Sequence, residues 1–184
     1  MRLPNLVRAS VGVLLLVALS GCTPSDAIAP PEPTATFVAP YATDEEALAA
    51  AEAAYAEYTR ISGEILRDGG KDAERIFEIA VGDFAQENFD GMESLEERDG
   101  YSTGVATFDQ VELQRYSATG GDREIITIYV CHDVSAVDVL DSAGVSVVPD
   151  DRLDRSRMEA TFDFDRLSNS LKISSRENWP DPEC

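Results

Sequence analysis

The chain is poor in basic residues, histidine, cysteine and long apolar runs, and each scarcity narrows what it can be. Its 184 residues include 15 lysines and arginines against 35 aspartates and glutamates, a formal net charge of −20. Nucleic-acid binding depends on neutralising phosphates with Lys and Arg, so this balance excludes nucleic acid as the expected partner. It also opposes lying flat on anionic lipid, and it favours a highly solvated surface. Histidine occurs once, at His132, so a single imidazole is available as a pH-responsive group. Only one long apolar run is present, residues 11–19, broken by Gly12 alone. That is too short to cross about 30 Å of hydrocarbon, and no later stretch reads as a transmembrane helix. There is no internal repeat, and no specific chemical motif follows residue 43.

The apolar run has the setting of an export signal. Arg2 and Arg8 precede it, and Leu19-Ser20-Gly21-Cys22 closes it with small residues ahead of a cysteine. Those four residues resemble the bacterial lipobox. The resemblance implies cleavage before Cys22 and a diacylglycerol thioether on its sulfur. An ordinary signal peptide, or an uncleaved helix with Cys22 incidental, is the alternative. Two acyl chains, at about 0.8 kcal/mol per buried methylene, suffice for stable anchoring without a spanning helix. Removing residues 1–21 takes away two arginines and no acid, which leaves 13 basic against 35 acidic residues and a net charge of −22.

Cysteine occurs three times. With Cys22 consumed by lipid, Cys131 and Cys184 remain as a pair in an oxidising compartment, where a disulfide is expected and two free thiols are the alternative. Residues 22–42 contain Pro24, Pro30, Pro31, Pro33 and Pro40 among Ala, Thr and Ser, the composition of an extended tether. A single globular domain over residues 43–184 completes the organisation.

That domain opens with a capping box, Thr43-Asp44-Glu45-Glu46. Leu48, Ala51, Tyr55, Tyr58 and Ile65 then recur at helical spacing until Gly69-Gly70. A second helical stretch carries Ile76, Phe77 and Ala80. Gly82 is expected to break it, and Asp83 to cap a third helix with Phe84, Met92 and Leu95. After Gly100 the period changes to two. Strands are expected as one run over residues 101–116, then at 125–131, 137–140, 145–148, 158–165 and 171–173. Helices first and antiparallel strands afterwards make an α+β domain.

The order of two or three helices and a curved meander resembles the NTF2-like, cystatin-related cone. More narrowly, Cys131-His132-Asp133-Val134-Ser135, followed by Val139, Asp141 and Gly144, is similar to a stretch that recurs in secreted NTF2-like lipoproteins of high-GC Gram-positive bacteria. Those proteins share the lipobox, the Pro/Thr tether and a terminal cysteine after the last strand. Most have no assigned activity, so the resemblance implies fold and location rather than chemistry. In such a cone, tyrosines on the first helix can line a cavity, which makes Tyr55 and Tyr58 the candidate pocket residues. Core packing is the plainer role for both.

Three further constellations read as structural. Cys131, His132 and Asp133 are neighbours on a strand and alternate between its faces, so they cannot converge as a catalytic trio; His132 is expected to be solvated. Gln86, Asn88, Asp90, Gly91 and Glu97 have calcium-loop spacing, yet Gln86 lacks the first ligand's charge and the stretch reads as helix. Asp150, Asp151 and Asp154 interleave with Arg152, Arg155 and Arg157 as mutually screened surface charge. No residue set calls for a metal or cofactor. The expectation is a monomeric, non-enzymatic accessory or binding module at the outer face of the cell membrane, held by lipid on Cys22, whose protein or small-molecule partner the sequence does not specify. An isomerase- or dehydratase-type enzyme and a ligand-free spacer are the alternatives. A C-terminal tail from Arg176 onward, barred by its prolines from a central strand, is expected to fold across the sheet under Trp179 and Cys184.

Overall fold

The computed structural model describes residues 40–117, 124–179 and 184, all within the unit Ala35–Cys184. Cys22, the export segment, most of the tether, the turn at 119–122 and the prolines of the tail lie outside the described residues.

Helix α1 (Asp44–Arg67) starts as its capping box dictates. The Glu46 amide donates to Thr43 Oγ1 at 3.2 Å, and the Glu46 carboxylate accepts from the Ala42 amide at 2.9 Å. Ala47, Ala51, Tyr55, Tyr58, Ile61 and Ile65 form its buried stripe, whereas Leu48 is only half-buried. The Tyr41 ring already packs on Tyr116, so contact with the domain begins two residues before Thr43. At the far end the Gly70 amide donates to Ile65 O at 2.9 Å, the closure of a Schellman turn. Gly70 has φ +85°, and a Cβ there would collide with the Met92 carbonyl, so only glycine lets the next helix approach this closely.

A short 3₁₀ segment, Ala73–Glu78, buries Ala73 and Ile76. Helix α2 (Gly82–Glu97) follows, and its N-cap is Val81 rather than Asp83. Gly82, at φ +66°, turns the chain into the helix two residues sooner, and Asp83 falls in the first turn, where its charge suits the dipole.

Six strands follow. The main sheet has the order β2 (Thr107–Tyr116), β3 (Glu124–Asp133), β5 (Arg155–Asp165), β6 (Ser170–Asn178), with every pairing antiparallel. The single run expected over 101–116 is divided. β1 (Tyr101–Thr103) leaves the main sheet and pairs with β4 (Asp138–Leu140). Gly104 makes the break, because its φ of +74° ends the strand and the Ala136 carbonyl occupies the place of a side chain. Residues 145–148 form no strand beyond a bridge between Leu140 and Ser146, and Val145 and Val147 stay exposed with nothing apolar to cover them.

Ile126, Ile128 and Val130 of β3, Ala160 and Phe162 of β5 and Ile173 of β6 project from one face against Ala51, Tyr55, Ile65 and Ile76. Each large aliphatic side chain buried there contributes about 1.5–3 kcal/mol. β3 is buried on its other face too, through Ile125, Thr127 and Cys131, as a central strand apolar on both sides requires. Register breaks between Asp109 and Glu112 and between Thr161 and Phe162 mark bulges, which bend strands. The result is an α+β fold with helices on one face of a four-stranded antiparallel sheet.

Candidate functional site

The helix-facing side of the sheet is filled at one end and hollow at the other. Along β3 the inward positions run Ile126, Ile128, Val130 and then His132, where the aliphatic series stops. Opposite His132, β5 offers only Ser156, and four residues further along β5 Ala160 pairs with Arg176 of β6. A cavity of about 460 Å³ opens there between α1, α2 and the sheet. Leu66, Met92, Ala106, Val134 and Val137 give it apolar walls, and Tyr58, Asn88, His132 and Arg176 supply the polar groups.

Each polar group is held by a neighbour. Tyr58 donates its hydroxyl to Asn88 Oδ1 at 2.9 Å, and Asn88 Nδ2 donates back to the Phe84 carbonyl of its own helix at 2.7 Å. The Tyr55 hydroxyl lies 3.2 Å from His132 Nδ1. Its ring meets Phe108 and His132 edge-on, with centroids 5.0 and 6.0 Å apart. The Arg176 guanidinium stacks over the Tyr58 ring at 5.3 Å, a cation–π geometry. At the mouth Arg67 donates to the Gly104 carbonyl at 3.4 Å, and Glu87 stands exposed on the opposite rim.

These surroundings set the protonation states. Burial, and secondarily the positive charge of Arg176, lower the His132 pKa to about 4 against the weaker pull of Asp133. The imidazole is therefore neutral near pH 7, with one donor and one acceptor nitrogen. Burial pushes the Tyr55 phenol up to about 12 and raises that of Tyr58. Among the described residues, no group of three or more His, Cys, Asp and Glu side chains is placed to hold a metal ion.

The two candidate tyrosines separate. Tyr58 lines the cavity, while Tyr55 is wholly buried behind it and touches the site through His132. His132 is not solvated as expected; it is half-buried on the cavity wall, because its strand position follows Val130 on the inner face. Its sequence neighbours face the other way. Cys131 forms a disulfide with Cys184, Cα–Cα 5.6 Å, and Asp133 accepts from the Ser135 amide at 2.9 Å and from Arg155 at 3.4 Å. Trp179 packs on Tyr129 with centroids 4.7 Å apart, on the same face as that disulfide, but β6 itself continues through Arg176 to Asn178. It can do so because the prolines, at 180 and 182, come after Asn178 in the sequence.

The calcium-like spacing at 86–97 lies within continuous helix α2, where Gln86 donates to Asp90 at 2.7 Å and a helix spreads the other oxygens around its axis. Of the acidic loop, Asp154 pairs with Arg152 at 3.1 Å, while Arg155 and Arg157 reach other strands to Asp109 and Glu112. Arg176, Asn88, Thr59 and Arg67 are site residues that sequence reasoning missed. For Arg176 the signal lay in β-alternation interrupted by a bulge that sequence does not display.

No family model matches the chain, and no curated protein does. Among solved structures the chain is similar to the intermembrane space region of chloroplast protein ARC6. The TM-score is 0.51 at 12% identity, over 70% of this chain and 92% of that one, which is a likeness of fold alone.

Proposed function

We propose that this chain is an extracytoplasmic, lipid-anchored binding module of the NTF2-like kind, which takes a small ligand into the cavity beside His132 and Arg176. Anchoring is supported by the lipobox at residues 19–22, and an oxidising compartment by the Cys131–Cys184 disulfide. No helix among the described residues is long and apolar enough to cross a membrane. Intact-mass analysis of the native protein should find Cys22 acylated and first in the chain; an unmodified Cys22, or a different start, would refute the anchor.

The observation that carries binding is the cavity, and two glycines that help to keep it open. Gly63 and Gly91 lie inside α1 and α2 and both face it. A helix-interior glycine costs about 0.5–1 kcal/mol relative to alanine. At Gly63 an added Cβ would press on the Arg67 guanidinium at 2.9 Å, and at Gly91 it would enter open space. Both helices thus carry a stability penalty where the hollow lies, which supports a ligand site over a ligand-free spacer. Gly91→Leu should raise the melting temperature slightly and abolish fluorescence enhancement of N-phenyl-1-naphthylamine, a neutral apolar probe. Undiminished enhancement in that variant would remove the cavity as the binding site.

An isomerase- or dehydratase-type enzyme is the second reading, favoured by the Tyr55–His132 pair on the cavity wall. It is the weaker one. Effective general bases have a pKa near the working pH, whereas His132 is held near 4, and the carboxylate lining the cavity, Glu87, sits on its rim.

A further inference from the structure

The cavity has a charge that the rest of the protein does not explain. In a chain of net charge −20, basic side chains have abundant potential partners, and six of them form ion pairs among the described residues. Arg60 and Arg75 share Glu64, Arg152 pairs with Asp154, Arg155 with Asp109 and Asp133, Arg157 with Glu112, and Lys172 with Asp165. Arg67 and Arg176, the two that line the cavity, have no carboxylate partner among the described residues. Arg176 is the deeper of the two. Its neighbours are the Tyr58 ring at 5.3 Å and the Tyr55 hydroxyl, neither of which carries an opposing charge near pH 7. A desolvated cation without a counter-charge is costly to keep, so its position asks for an anion supplied from outside.

A second observation points the same way. The buried hydroxyl of Thr59, on the α1 turn that also presents Tyr58 and Ser62 to the cavity, has no hydrogen-bond partner within the protein. Buried hydroxyls are nearly always satisfied. An unpaired hydroxyl on α1 and a guanidinium without a counter-charge on β6 line the same cavity, and together they are what an oxyanion would complete.

The remaining walls restrict which oxyanion. Leu66, Met92, Val134 and Val137 offer no partner to further charge, and at the rim the Glu87 carboxylate offsets the Arg67 cation, so the mouth adds no net positive charge. One inner guanidinium suits one planar, singly charged group, since the Arg fork matches a carboxylate in shape. We infer that the cavity binds a small organic monocarboxylate, its carboxylate on Arg176 and its apolar body against the aliphatic wall. This rests on the binding reading above and gives it a ligand class. His132, neutral near pH 7, adds polar contact without a second cation.

The test compares octanoate, 1-octanol, octylamine and the dianion suberate, each titrated into the folded protein by calorimetry and amide NMR. Octanoate should bind about tenfold or more tightly than 1-octanol, as a charge-assisted hydrogen bond implies, and octylamine and suberate more weakly than octanoate. Arg176→Met should reduce octanoate to the affinity of 1-octanol while leaving 1-octanol unchanged, and Arg176→Lys should fall between. Thr59→Val should weaken octanoate a few-fold and spare the alcohol. Should Arg176→Met fail to fold, Arg176→Lys and Thr59→Val still decide the matter. Equal binding of octanoate and 1-octanol, or octanoate binding untouched by any of the three substitutions, overturns the carboxylate inference and leaves the cavity a neutral apolar site. If 1-octanol, octanoate and N-phenyl-1-naphthylamine all fail to bind, the binding reading falls and the inference with it.

Discussion

The two faces of the four-stranded sheet treat charge in opposite ways. On the outer face, strand register sets acid against base: Arg155 bridges Asp109 and Asp133, and Arg157 reaches Glu112 at 2.7 Å while covering the Tyr129 ring at 4.9 Å. The same face carries the Cys131–Cys184 bond and Trp179. On the inner face, Arg176 has only aromatic neighbours, and the site it shares with His132 is hollow. Exposed pairs are each worth about 0.2–1 kcal/mol, because water already screens both charges. A cation withdrawn from water has no such relief. Charge cancelled by register therefore belongs to the scaffold, and the charge left open is the one that directs attention to a ligand.

If the faces are separable, the covalent staple can be removed without closing the cavity. The disulfide links residues 53 apart in sequence, and a loop of that length corresponds to about 4 kcal/mol in the chain-entropy account. Cys184→Ser should lower the urea midpoint accordingly and expose Trp179 to acrylamide, with N-phenyl-1-naphthylamine binding retained. An unchanged midpoint together with unchanged quenching would show that the tail contributes nothing to the outer face.

A somewhat smaller effect belongs to the inner face and is read by pH. His132 titrates near 4 in the folded protein and near 6.5 when unfolded. As pH falls below about 6.5 the unfolded chain takes up the proton first, so stability is lost progressively until about pH 4 and then levels off. The loss is on the order of 3 kcal/mol. Carboxylates such as Asp133, held below their ordinary value by Ser135 and then Arg155, act lower on the scale. His132→Leu should flatten the upper part of the acid limb, measured as urea midpoints between pH 7 and 4. Parallel curves for the two proteins would mean that the imidazole is not buried as described.

The weakest effect is the outer ion pair. A double-mutant cycle on Arg157 and Glu112 should give a coupling of about 0.5 kcal/mol that shrinks with added salt. A coupling several times larger and insensitive to salt would contradict the distinction between the two faces.

How much could be read before folding follows the range over which each signal acts. Thr43 and Glu46 announce α1 because a capping box is a contact between near neighbours, and Met158, Ala160 and Phe162 announce β5 because alternation is a property of consecutive residues. Compartment chemistry pointed to Cys131 and Cys184 because only two cysteines remained to be paired. The break at Gly104 was less visible, since its cause is the carbonyl of Ala136, more than thirty positions away. The cavity could not be read at all. Its polar groups come from α1, α2, β3 and β6, and nothing local to any of them says that the others are near.

Arg176 shows the limit most sharply. Ile173 faces the core, and strict alternation would send Arg176, three residues on, to the opposite face. The pairing of Phe162 with Ile173 and of Thr161 with Ser175 leaves Ser174 as an extra residue, and that bulge reverses the phase so that Arg176 joins Ala160 on the inner side. Local propensity determined that the chain has helices followed by strands. Which face of β6 meets the helices was decided only when β6 paired with β5, because the face a side chain takes depends on register, and register is a relation between two strands.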